Sequence, residues 1–115
     1  MIVEDEIDSR NVLALLFNLH GFEVMTATNG QAALDLIASH RPDIVVTDVT
    51  MPIMDGLAMC GRLRAQNSTR GIPIFVLTAA EGVSASDAGL YDELMRKPVD
   101  FPELLSRVRD RTAMK

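Results

Sequence analysis

Two apolar runs constrain this chain more than any other feature: Ile44-Val45-Val46-Thr47 and Ile72-Pro73-Ile74-Phe75-Val76-Leu77-Thr78 show no polar alternation. A strand with one wet face alternates with period two, so unbroken runs of this kind read as strands buried on both faces. Helices must then cover both sides of the sheet. The intervening segments supply them. Val12, Leu13, Leu15, Leu16 and Leu19 follow helical spacing, which predicts a helix over Asp8 to His20 with Asp8 or Ser9 as its cap and Gly21 at a left-handed end. Ala32, Ala33, Leu34, Leu36 and Ile37 predict a second helix, from the turn at Asn29-Gly30 to just before Arg41-Pro42.

Leu57 to Ala65 predicts a third helix capped by Asp55, and a short helix is expected between Ala79 and Tyr91. Asp100 can cap a last helix in which Phe101, Leu104, Leu105 and Val108 share a face, with Pro102 tolerated in the first turn. Met1-Ile2-Val3, Phe22 to Thr26 and Glu93-Leu94-Met95 read as the remaining strands. Five strands alternating with five helices imply a parallel sheet with right-handed crossovers and helices on both faces, an α/β three-layer sandwich.

A chain of 115 residues accommodates a single domain spanning 1–115. Its apolar runs fall far short of the roughly 20 residues of a membrane span, and the amino terminus carries acids where a signal peptide carries bases. The expected location is therefore cytoplasmic. Cys60 is the single cysteine, which excludes an internal disulfide and agrees with a reducing compartment. A formal charge of -5 argues against a nucleic-acid- or membrane-binding face and in favour of a protein partner or a metal ion.

In a parallel sheet the carboxyl ends of the strands share one edge, where open α/β folds place their ligands. That edge is expected to gather Glu4, Asp5, Asp48, Thr78 and Lys97. Three carboxylates and one ammonium leave a formal excess of two negative charges, which a divalent cation would cancel. An all-oxygen ligand set suits magnesium or manganese better than zinc. With a metal present, Asp48 can stay ionised as a nucleophile, and a phosphoryl group is the electrophile that fits an ammonium, a hydroxyl and a hard cation. Lys97 would then pair with one phosphoryl oxygen and Thr78 would donate to another.

At these residues the chain closely resembles the receiver domain of bacterial two-component response regulators. The resemblance runs nearly end to end, through Val3-Glu4-Asp5-Glu6, Asp48-Val49-Thr50-Met51-Pro52 with Asp55-Gly56, Leu77-Thr78-Ala79 and Lys97-Pro98. It implies a flavodoxin-like (βα)5 fold with strand order 2-1-3-4-5, and a histidine kinase or histidine phosphotransfer protein as phosphodonor. Carried over, Asp48 matches the phosphoacceptor, Asp5 the direct metal ligand and Glu4 the acid that acts through water. Thr50 would offer a backbone carbonyl to the metal, Thr78 matches the switch hydroxyl, Lys97 the phosphate-pairing lysine, and Ala79 the small residue that leaves room for the phosphoryl group. A downstream protein target or output domain is implied, together with a dimer linked to phosphorylation.

Two departures from the family pattern stand out. Leu94 occupies the position, three before the lysine, where the family places an aromatic residue, and Tyr91 lies three residues too early to replace it. The segment between Thr78 and Lys97 is also a few residues short. These departures keep open a second reading, an interaction module of the same fold that does not use phosphorylation. Within the first reading the chain is a self-modifying switch and not a metabolic enzyme. An aspartate-nucleophile phosphatase would need an acid two positions after Asp48, where Thr50 stands. A flavin site is opposed by Glu4-Asp5-Glu6 after the first strand, and a dinucleotide site lacks its glycine turn. His20 and His40 follow helices and read as partners of the last carbonyls, Met51 and Met54 as apolar loop anchors, and Cys60 as a small packed residue.

Overall fold

In a computed structural model, which describes residues 1–79, 83 and 85–113, five parallel strands form one sheet of order β2-β1-β3-β4-β5. They are β1 (Ile2–Val3), β2 (Thr26–Ala27), β3 (Val45–Asp48), β4 (Ile74–Thr78) and β5 (Glu93–Arg96). The α-helices are α1 (Ile7–Leu19), α2 (Gly30–Ser39), α3 (Gly56–Ala65) and α4 (Phe101–Ala113), and a 3-10 helix spans Ala85–Leu90. The expected flavodoxin-like strand order is therefore present.

The unbroken apolar runs are explained by two cores, one on each face of the sheet. Val3, Val45, Ile74 and Val76 pack with Ala33, Ile37, Met59, Cys60 and Leu63 from α2 and α3. Their neighbours in sequence, Ile2, Val46, Phe75 and Leu77, point the other way and meet Phe17 of α1 and Leu104, Leu105 and Val108 of α4. Successive strand residues project to opposite faces, so both parities must be apolar when both faces are covered. Cys60 is fully buried, and burial pushes its thiol up to about 12.

Three expectations need correction. The helix expected between Ala79 and Tyr91 is the 3-10 helix Ala85–Leu90, so the described residues hold four α-helices and not five; residues 80–82 and 84 of that segment lie outside the described ones. The strand expected over Phe22 to Thr26 shrinks to Thr26–Ala27, because β1 offers only Ile2 and Val3 as partners. Phe22 instead sets its ring edge-on to Phe17, with centroids 5.5 Å apart. Finally, α1 is capped by Glu6 and not by Asp8 or Ser9: its carboxylate accepts the N–H groups of Asp8 and Ser9, each at 2.8 Å. The cap thus lies two residues earlier than Asp8, and the longer Glu6 side chain satisfies the helix's first orphan donors. Those two backbone donors hold the Glu6 carboxyl below its ordinary value.

The caps expected at Asp55 and Asp100 are present, and Asn29, expected as a turn residue, caps α2 as well. Asn29 Oδ1 accepts from Ala32 N, Asp55 Oδ1 from Ala58 N and Asp100 Oδ1 from Glu103 N. Gly21 has φ of 91°, the left-handed end expected after α1, and a His20 ring nitrogen lies 2.8 Å from the Leu16 carbonyl.

Candidate functional site

Strand order decides where the site lies. From β1 the chain crosses outward to β2, and from β3 it crosses the other way to β4, so a crevice opens between the carboxyl ends of β1 and β3. Glu4 and Asp5 follow β1 directly, and Asp48 is the last residue of β3. One carboxylate oxygen from each of the three lies within 4.8 Å of the others. Glu4 is buried, Asp48 half-buried and Asp5 exposed, so the cluster opens to solvent on the Asp5 side.

Lys97 follows β5, preceding Pro98 through a cis peptide bond, and its backbone N–H donates to the Thr78 carbonyl at 2.8 Å. Its ammonium donates to Glu4 Oε1 and to Asp48 Oδ2, each at 3.1 Å. The other Asp48 oxygen accepts the Val49 N–H at 2.7 Å, which fixes the carboxylate plane. Glu4 Oε2 accepts the Glu6 N–H at 3.2 Å. Thr78 ends β4 with 6% exposure, and β4 runs beside both β3 and β5. Thr50 lies exposed in the loop just after Asp48.

The electrostatics show an excess of negative charge. Burial raises the Glu4 carboxyl above its ordinary value and Asp48 adds repulsion, against the opposing pull of the Glu6 N–H and Lys97. Burial alone would lower the Lys97 ammonium, but its hydrogen bonds to Glu4 and Asp48 outweigh that and hold it raised. One ammonium is thus shared by two carboxylates, with a third beside them. The donor set is all oxygen, partly solvated and under-neutralised, which fits a hard divalent cation.

Glu4, Asp5, Asp48, Thr50, Thr78 and Lys97 all lie at this edge, as expected, and the structure adds others. Arg10 Nη1 donates to the Glu4 carbonyl at 3.0 Å and reaches the Asp5 carbonyl at 3.4 Å, tying down the backbone of both acids from the first turns of α1. Thr47 Oγ1 donates to the Asp48 carbonyl at 2.8 Å. Gly56 donates its N–H to Val49 O at 2.8 Å, and a Cβ there would lie 2.0 Å from the Asp48 carbonyl oxygen. The signal for Arg10 was its place five residues after Asp5 on a helix that starts at the acids. Gly56 acts through backbone proximity and Thr47 through a hydroxyl bonded to a neighbouring carbonyl, neither of which residue type alone announces.

A groove of about 410 Å³ runs from Glu4 and Lys97 along Val12, Leu13, Leu16 and Phe101. The larger cleft, about 540 Å³, sits at the opposite edge beside Met1, Phe22 and Pro42 and contains none of the three clustered carboxylates. The chemistry, not the volume, marks the site.

The profile of the family described as response regulator receiver domain matches residues 1–109. The chain belongs to this family. The receiver domain is 44% identical over 112 residues to response regulator MprA of Mycolicibacterium vanbaalenii, covering 95% of this chain and 48% of that protein. It thus spans about half the length of the curated relatives it matches. Among solved structures it resembles the receiver domain of a signal transduction histidine kinase from Syntrophus aciditrophicus (TM-score 0.88, 30% identity, 97% of this chain and 87% of that one). It also resembles response regulator protein TrrA from Thermotoga maritima, solved in complex with Mg2+–BeF (TM-score 0.84, 32% identity, 96% and 94% covered). Receiver domains of two-component response regulators serve phosphorylation-based signalling, and this receiver domain is one of them. Among its described residues no helix is long and apolar enough to cross a membrane.

Proposed function

We propose that this receiver domain is a phosphorylation switch in which Asp48 takes a phosphoryl group from the histidine of a kinase or phosphotransfer protein. The observation that carries the reading is the sharing of Lys97 between Glu4 and Asp48 at 3.1 Å, beside a third carboxylate. In the transfer an Asp48 oxygen attacks phosphorus, the P–N bond to the donor imidazole breaks, and the imidazole leaves with a proton from solvent. Glu4, Asp5, Asp48 and the Thr50 carbonyl would hold a magnesium ion, with manganese as a substitute. When bound, the cation neutralises charge on the transferring phosphoryl oxygens.

Every other role falls to side chains of the chain. Lys97 exchanges its Asp48 contact for a phosphoryl oxygen, and Thr78, at the end of the neighbouring strand, donates its hydroxyl to another. Arg10 and Thr47 hold the backbones that carry the acids. Such a domain modifies and dephosphorylates itself and turns over no metabolite. The likeness to a relative solved in complex with Mg2+–BeF supports the same chemistry at this site. The partners are then a cytoplasmic histidine kinase or phosphotransfer protein upstream, and a protein target or output domain downstream, with phosphorylation-linked dimerisation as one form of readout.

A second reading, an interaction module indifferent to phosphorylation, is favoured by Leu94. It stands at the family's aromatic position with 38% exposure, on the strand face opposite buried Met95. Intact mass measured after incubation with acetyl phosphate and magnesium separates the two. A gain of one phosphoryl group, absent without magnesium, supports the switch; no gain with a competent donor replaces it by the interaction module.

A further inference from the structure

The loop from Asp48 to Gly56 carries the expected metal-binding carbonyl of Thr50, and one of its peptides is strained. Ile53 has φ of 68°, a left-handed conformation that a β-branched residue seldom adopts. Met54 N donates to Pro52 O at 2.7 Å around it, an i to i+2 bond that closes a tight γ-turn. The Ile53 side chain is 84% exposed, so its own packing does not hold the turn in place. Something else must.

The neighbouring contact is Gly30. Its N–H donates to the Met54 carbonyl at 2.9 Å from the first residue of α2. A Cβ on Gly30 would lie 2.8 Å from that carbonyl oxygen, 2.9 Å from Met54 Cγ and 3.0 Å from Met59 Cβ. The φ of Gly30 is not in the left-handed region, and the cap of α2 is Asn29, so neither a special backbone conformation nor capping accounts for glycine here. What the position requires is the absence of a side chain, so that the backbone of α2 can touch the loop.

We propose that Gly30 is a positioning residue for the Asp48 site. By clamping the Met54 carbonyl it holds the strained turn at Ile53, while the Gly56 N–H holds Val49 O at the other end of the loop. The peptide of Thr50 lies between these two fixed points. The cation-binding geometry of the loop therefore depends on a contact made by α2, an element that contributes no ligand. The inference rests on the reading of this site as a magnesium-dependent phosphoacceptor.

The test is a magnesium titration followed through backbone amide shifts, on wild type, Gly30→Ala and Val108→Ala, at a temperature where all three are folded by circular dichroism. Val108 lies in the core on the opposite face of the sheet, so its truncation lowers stability without touching the loop. Groups that support a metal's ligands without binding it are worth about tenfold or more in affinity, so Gly30→Ala should weaken magnesium binding by that factor while Val108→Ala leaves it unchanged. In wild type the Gly30 amide should shift and gain exchange protection as the metal saturates, a readout that survives if Gly30→Ala does not fold. Equal magnesium affinity in wild type and Gly30→Ala, or a Gly30 amide indifferent to the metal, overturns the proposal. No saturable binding by wild type would instead overturn the reading of the site on which it rests.

Discussion

The Lys97 ammonium donates to Asp48 Oδ2 across 3.1 Å, joining the ends of two strands that are not neighbours in the sheet. β4 lies between them, and Lys97 reaches past it while its own N–H is bound to Thr78 O. Any group added to Asp48 must displace or recruit that ammonium, so the ends of β3, β4 and β5 are linked at this side chain.

Lys97→Ala leaves Glu4 and Asp48 without their shared cation. In the absence of metal, unfolding free energy at neutral pH should fall by about 1–3 kcal/mol, between the values for exposed and for buried ion pairs. Phosphorylation should persist in part, because Asp48 and the acids remain. The conformational response to a beryllofluoride mimic, followed by amide shifts, should shrink; an undiminished response removes Lys97 from the readout.

Magnesium should stabilise the wild type, because it neutralises a cluster in which Glu4 and Asp48 share one ammonium beside a third carboxylate. At a concentration about 100 times its Kd the expected gain is about 2.7 kcal/mol, read as a rise in melting temperature. Asp5→Asn should abolish that rise with little change in the metal-free melt, since Asp5 is exposed. A full magnesium response in Asp5→Asn would take Asp5 out of the ligand set.

How much of this was legible beforehand follows from what kind of force sets each feature. The double-sided burial of Val45, Val46, Phe75 and Val76 was readable because apolar periodicity reports burial directly. The acids, Thr78 and Lys97 were readable because each follows or ends a strand, and parallel strands end together. The span of β2 was not, since it depends on how far β1 extends beside it, which no local pattern in residues 22–26 records. Nor were Gly30 and Gly56, whose contribution is a backbone distance, or Thr47, whose hydroxyl bonds a carbonyl next to it. Arg10 was visible as a residue but not as a partner of the Glu4 and Asp5 carbonyls.

The start of β5 is tied to α4 by charge, and this tie should make stability depend on pH. Glu93 accepts from Arg111 and from Arg107, each at 2.8 Å. The Arg111 hydrogen bond chiefly, with Arg107, holds its carboxyl below the ordinary value of 4.5 despite partial burial. Because the folded value is depressed, this stabilisation is present above the unfolded value and is lost as pH falls through the folded one. Glu93→Gln should therefore cost about 0.5–1 kcal/mol at neutral pH and nothing near about pH 2, measured by urea unfolding at both. A constant difference between the two proteins across that range would contradict the ion-pair origin.

Whether Asp48 carries the phosphoryl group is decided by locating that group on the chain. The protein is treated with acetyl phosphate and magnesium, the acyl phosphate is trapped by borohydride reduction, and the modified residue is read by fragment mass spectrometry, with Asp48→Asn alongside. One modification is expected, at Asp48, and none in Asp48→Asn. Modification at Asp5 or Glu4, or undiminished labelling of Asp48→Asn, would contradict it.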